Sequence, residues 1–221
     1  MMRTRDDSWI GPWVIEKLLE AKEVVKATEL DSSLIDVERR QNPSFVVAAI
    51  SVPCVDVMTV TDLIAKQPRP SFVLNLARES SVSPEALALS REAALPIGRM
   101  GDLKRALRLA DVTTYREPEI EFAERGFEQH SNVQSFERLD ERRYRVDRRS
   151  RPPITLVLLN EYEVTADSIR LARRRHGEFR WVVLTNPNAR ITGNAEEVAA
   201  NLGCRLLTWR DFFKAASNDD S

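Results

Sequence analysis

The feature that most constrains this chain is an internal repeat held at a fixed offset of 109 positions. In the first half, Val37-Glu38-Arg39-Arg40-Gln41-Asn42-Pro43 leads into the apolar run Phe45 to Ile50. In the second, Val146-Asp147-Arg148-Arg149-Ser150-Arg151-Pro152 leads into Ile154 to Leu159. The correspondence continues without a gap: Phe72-Val73-Leu74 matches Trp181-Val182-Val183, Val82-Ser83 matches Ile191-Thr192, and Asp102-Leu103 with Ala106 matches Asp211-Phe212 with Ala215. A repeat of this length reads as two copies of one folding unit. The expected organisation is a first α/β unit over residues 1–110 and a second over residues 111–221. Turn formers and Pro118 between Asp111 and Glu119 mark the linker.

The apolar rhythm fills in the elements. Trp9 to Ala27 has helical spacing, entered at Gly11-Pro12, and extended segments flank an Asp31-Ser32-Ser33 turn. Phe45 to Val52 and Ser71 to Leu76 read as buried strands, Val57 to Lys66 as a helix, and Gln67-Pro68-Arg69-Pro70 as its stop. Ser83-Pro84-Glu85 is a helix start with a cap, a first-turn proline and an acid, and Asp102 to Ala110 closes the copy. The second copy predicts helices over Ile120–Phe127, Ala166–Arg175, Asn194–Leu202 and Asp211–Ala216. Its strands are Arg142–Arg148, Ile154–Leu159, Trp181–Thr185 and Cys204–Leu207, and Asn218 to Ser221 is a polar tail. Gly177 and Gly203 suit left-handed positions just past helices.

Composition sets bounds on function. With 33 basic and 34 acidic residues, a nucleic acid or anionic surface would have to be held by a local patch rather than by the net field. The charged start carries no signal-like apolar core, and no stretch approaches the roughly eighteen apolar residues of a membrane span, so the expectation is a cytoplasmic protein without membrane association. Cys54 and Cys204 read as free thiols, and neither His130 nor His176 has a cysteine or second histidine at zinc-ligand spacing. Trp9, Trp13, Trp181 and Trp209 read as packing residues. No serine-nucleophile elbow or phosphate loop is present.

In the second copy, Tyr144-Arg145-Val146-Asp147, a short turn, Ile154 to Leu159, a helix, Trp181 to Thr185, a helix and a final short strand follow one another. This order resembles the restriction endonuclease-like, or PD-(D/E)xK, superfamily over roughly Ile120 to Ala216 and, by the repeat, Trp13 to Leu107. The resemblance implies two tandem restriction endonuclease-like units forming an intramolecular pseudo-dimer. It also implies an Asp on one strand and E-x-K on the next, which hold a divalent metal and stabilise the attacked phosphate. This chain departs from that pattern. Asp147 matches the Asp, but Leu158 and Asn160 stand at the Glu and Lys positions, while the first copy has Glu38, Ala49 and Ser51.

The leading expectation is therefore a catalytically degenerate nuclease-like protein, without a cofactor, that binds or scaffolds a protein partner or a nucleic-acid backbone. An alternative is a divergent magnesium- or manganese-dependent nuclease using Asp147 and Glu161 as metal ligands, with Arg149 replacing the Lys and Glu163 as a further acid nearby. A third is a small-molecule or nucleotide sensor binding between the copies near Asn186 and the matching Ala77. Backbone phosphates would dock on Arg148 and Arg149 of the hairpin and on Arg170, Arg173 and Arg174, which share a helical face.

Overall fold

A computed structural model describes residues 10–78 and 80–217. The chain divides into two compact units, Met1–Arg116 and Glu117–Ser221. The division falls six residues later than the sequence reading placed it. Val112, in a short 3-10 turn over Val112–Thr114, is buried in the first unit's core. Tyr115 packs on Phe72 and donates to Asp102 Oδ1 at 2.7 Å, which ties the segment to the first unit.

In the first unit, α1 (Ile10–Leu19) precedes a meander of β1 (Val24–Asp31), β2 (Leu34–Arg39) and β3 (Phe45–Ile50). Then come β4 (Cys54–Val55), α2 (Val57–Ala65), β5 (Phe72–Asn75), β6 (Ser81–Val82), α3 (Pro84–Glu92), β7 (Ile97–Gly98) and α4 (Met100–Ala106). The sheet order is β1-β2-β3-β5-β7, antiparallel across the meander and parallel from β3 onward. The helix expected to reach Ala27 stops at Leu19, because the β-branched pair Val24-Val25 and Thr28 suit an edge strand. Trp9 and Asn218 to Ser221 lie outside the described residues.

The second unit repeats this plan. It comprises α5 (Pro118–Gln129), β8 (Val133–Arg138), β9 (Arg143–Arg148), β10 (Arg151–Leu159), β11 (Glu163–Val164), α6 (Ala166–His176) and β12 (Trp181–Leu184). It ends with β13 (Arg190–Ile191), α7 (Gly193–Asn201), β14 (Arg205–Thr208) and α8 (Trp209–Ser217), and its sheet order is β14-β12-β10-β9-β8. The sequence reading missed β8, an edge strand whose mostly exposed, polar residues carry no hydrophobic signal.

Pairing register is preserved at the same offset. Val47 pairs with Phe72 as Leu156 pairs with Trp181, Leu34 with Ala48 as Arg143 with Val157, and Cys54 with Ser81 as Glu163 with Arg190. Each sheet is covered on both faces, which is why the central strands are apolar runs rather than alternating ones. In the second unit Leu156, Leu158, Trp181 and Val183 pack with α5 and α8, while Val157, Val182 and Leu184 pack with α6 and α7. Among the described residues no helix is long and apolar enough to cross a membrane.

Small devices repeat as well. Asp31 accepts from the amides of Ser33 (2.7 Å) and Leu34 (3.0 Å), and Asp140 accepts from those of Arg142 (2.9 Å) and Arg143 (2.8 Å), closing the same turn in each meander. Asp56 caps α2 and Thr165 caps α6. Gly177 and Gly203 both adopt positive φ, 70° and 66°, but ψ at Gly177 is −141°, away from the left-handed helical conformation expected of it.

Candidate functional site

The register of the β9–β10 hairpin separates the two carboxylates proposed as metal ligands. Val146 lies opposite Ile154, so Asp147 sits beside the early part of β10, whereas Glu161 follows its far end. Ile154 to Leu159 alone spans about 16 Å at roughly 3.3 Å per residue. Asp147 accepts from Ser135 Oγ at 2.8 Å and Arg145 Nε at 3.2 Å, and these bonds hold its carboxyl below the usual range. Glu161 instead accepts from Ser168 Oγ at the start of α6, and Glu163 is exposed on β11. The expected pairing of Asp147 with Glu161 around one cation, with Arg149 beside it, is thus corrected by the antiparallel register. Among the described residues no group of three or more His, Cys, Asp or Glu side chains is placed to hold a metal.

The positions matching E-x-K face different environments. Leu158 is fully buried among residues of β9, β10, β12, α5 and α8, and Asn160 is exposed just past β10. In the first unit Ala49 is buried in the equivalent core and Ser51 is exposed. A carboxylate at 49 or 158 would enter an apolar core.

At the end of β10 and β12 the second unit gathers a polar cluster that the sequence reading did not assemble. Arg142, in the turn before β9, places Nη2 2.5 Å from Glu117 Oε1 and Nη1 2.7 Å from Glu119 Oε2, the latter an ion pair without hydrogen-bond alignment. Thr185, just after β12, donates to Glu119 Oε1 at 2.7 Å. Burial alone would lower the Arg142 pKa, but the two glutamates outweigh it and hold it above the ordinary value. A guanidinium thus occupies the space between the carboxylates, a place where a cation would otherwise be attracted. The members span 68 positions, from Glu117 to Thr185, so no local sequence signal groups them.

Beside it, buried Asp140 bonds His176 Nδ1 at 2.9 Å and pairs with Arg143 at 3.3 Å. Burial opposes ionisation of Asp140, but the bonds from His176 and from the Arg142 and Arg143 amides prevail, leaving it below the usual carboxylate range.

The five arginines proposed for phosphate contact have different roles. Arg148 donates from Nε (3.0 Å) and Nη2 (2.8 Å) to the Pro152 carbonyl and lies 5.4 Å from the Trp181 ring centroid. Arg173 donates to the carbonyls of Phe179 (3.3 Å) and Leu202 (3.2 Å), tying α6 to the loop after it and to the end of α7. Arg170 pairs with Asp167 at 3.0 Å, and Arg149 and Arg174 are exposed. Arg173 is thus occupied in holding backbone and does not share a free basic face with Arg170 and Arg174.

The remaining side chains singled out from sequence are locally engaged. Asn186 accepts from the Asn188 amide in its own turn, His130 stacks on Phe213, and Cys54 (exposed) and Cys204 (buried) are free thiols. Trp181 is buried and Trp209 packs against the same core.

The class defined by these observations is a mixed α/β protein of two tandem units, each built on a five-stranded sheet. No family model, curated protein or solved structure matches the chain.

Proposed function

We propose that the protein is a catalytically degenerate, internally duplicated member of the restriction endonuclease-like superfamily that acts in the cytoplasm as a binding or scaffolding component. The observation that carries this reading is buried Leu158, at the place of the family's metal-binding Glu. The nearby acidic pair Glu117 and Glu119 is already engaged by Arg142. The order of strands and helices in each unit, and the common register at one offset, support membership and duplication. A fold that keeps its core while its catalytic positions turn apolar retains surfaces for binding. The two copies would pair as an intramolecular pseudo-dimer, the common solution for like units, which small-angle scattering of the whole chain tests.

Incubation with single- and double-stranded DNA and RNA in magnesium or manganese is expected to leave every substrate intact. Cleavage that disappears in Asp147→Ala would overturn this reading and restore a metal-dependent nuclease.

A further inference from the structure

The corner where α5 hands the chain to β8 is built on the same backbone frame as its counterpart in the first unit. The amide of His130 donates to Phe127 O at 3.3 Å, that of Val133 to His130 O at 3.0 Å, and that of Arg149 to Asn132 O at 3.0 Å. At the offset of 109, the amide of Ala21 donates to Leu18 O at 3.0 Å, that of Val24 to Ala21 O at 3.0 Å, and that of Arg40 to Glu23 O at 2.9 Å. A side-chain bond to the unit's last helix closes each corner. Asn132 donates to Ser217 Oγ at the end of α8, and Arg108, just past α4, donates to Glu23 at 3.3 Å.

What differs is one ring. Position 21 is alanine, whereas the partly buried imidazole of His130 lies within the second frame, 4.4 Å from the Phe213 ring centroid and within 16° of parallel to it. The Asn132 amide lies 3.3 Å from His130 Nδ1. A backbone amide only donates, so Nδ1 accepts and is unprotonated, and the proton of the neutral ring sits on Nε2. On each element that meets here, the charged side chains nearest the corner along the chain are Glu128 on α5, Lys214 on α8, and Arg148 and Arg149 on the hairpin; β8 carries none before Glu137. Lys214 pairs with Asp211 at 3.1 Å, Arg148 donates to the Pro152 carbonyl, and among the described residues none forms an ion pair with the ring. The C-terminal end of α5 and the face of Phe213 favour a charged ring, while burial and the Asn132 donor oppose it. Burial prevails and holds the His130 pKa below its ordinary value.

We propose that His130 is a proton-operated latch of the second unit, closed while Nδ1 accepts from Asn132 and opened when a proton on Nδ1 sets donor against donor. Opening releases the Asn132 amide, which loosens the start of β8 on one side and the end of α8 on the other. The first unit has alanine in the same frame and is expected not to respond. Because the folded corner favours the neutral ring, its contribution is complete above the ordinary histidine value of about 6.5 and is lost as pH falls through the lowered folded value. The latch therefore works in a range where histidine, and not the carboxylates of the matched turns, changes charge.

The test is imidazole and amide NMR of the whole chain between about pH 8 and about pH 5.5, the range in which histidine titrates. At the upper end the His130 ring is expected to carry its proton on Nε2 alone. On acidification the Asn132 and Val133 amides are expected to shift and to lose hydrogen-exchange protection on the same curve as the ring, while those of Glu23 and Val24 show no step. In urea denaturation, the wild type is expected to lose about two- to tenfold more of its folding equilibrium constant between about pH 7.5 and about pH 5.5 than His130→Phe, tenfold being the ceiling for one histidine over that window. The variant keeps a ring on Phe213 and has no nitrogen to titrate. A neutral ring protonated on Nδ1, amides that ignore the titration, or an equal pH response in His130→Phe would each overturn the proposal. The titration of the unsubstituted chain decides even if His130→Phe folds poorly.

Discussion

The two units share a topology and a pairing register, yet they use the same turn for different ends. In the first, Arg39 is 7% exposed and donates to the carbonyls of Pro43, Leu107, Leu109 and Ala110, so the hairpin is fastened to the chain that leaves α4. In the second, the matching Arg148 keeps the bond to Pro152 and otherwise lies on Trp181, with Arg149 and Arg151 beside it. The comparison extends inward. Ile35 is packed in the first core, whereas its counterpart Tyr144 donates to buried Glu124 at 3.1 Å. The Val-acid-Arg-Arg-x-x-Pro box is therefore a hairpin fastener in both units, with more polar chemistry around it in the second. What is held in common is backbone geometry, which apolar faces and turns specify; what differs is side-chain chemistry at the edges, which the core tolerates.

The largest effect that would break this comparison is Leu158→Glu. A carboxylate in that core is expected to cost about 4 kcal/mol or to prevent folding, read by urea denaturation. Leu158→Met is expected to stay within about 1.5 kcal/mol, and neither variant should gain metal-dependent cleavage. If Leu158→Glu folded with wild-type stability and bound manganese, the degenerate reading of the second unit would fail.

Next in size is the pair of fasteners. Arg39→Ala removes the donors to four carbonyls and is expected to cost about 3 kcal/mol, against about 1 kcal/mol for Arg148→Ala. Equal losses would show that the second hairpin is fastened as firmly as the first.

The matched turn aspartates sharpen the contrast further. Asp140→Ala leaves buried partners without an acceptor and is expected to cost about 2 kcal/mol, whereas exposed Asp31→Ala should cost about 1 kcal/mol or less. Both carboxyls are lowered in the folded state, Asp31 to about 2, chiefly through the Ser33 amide. Their contributions are therefore complete above the ordinary carboxylate range and lost as pH falls through the lowered folded values. Wild-type stability should decline below about pH 4, and each variant should show a flatter acid limb than the wild type. An unchanged limb in both would remove these turns from the acid response.

The smallest expected effect concerns helix packing. A Cβ at Gly126 would meet Trp209 Cζ2 at 2.5 Å, so Gly126→Ala should cost about 1 kcal/mol through overpacking. The matching position of the first unit is Lys17, partly exposed on α1, where alanine is expected to be nearly neutral. A stabilised Gly126→Ala would show that the aromatic packing of α8 on α5 is looser than its counterpart needs to be.

The sequence alone determined the doubled α/β plan, the central strands and most helices, because apolar runs, proline stops and capping residues act locally and recur at a fixed offset. It could not show β8, whose exposed face carries no apolar pattern, nor that Tyr115 belongs to the first unit. Candidate residues were legible as types but not as partners. Asp147 and Glu161 lie close in sequence, yet antiparallel pairing sends them toward opposite ends of β10, while Glu119, Arg142 and Thr185, far apart in sequence, meet at the sheet edge. Local chemistry determines which strands and helices form; only register and packing decide which of their charges share a site, since electrostatic partnership depends on distance in space rather than along the chain.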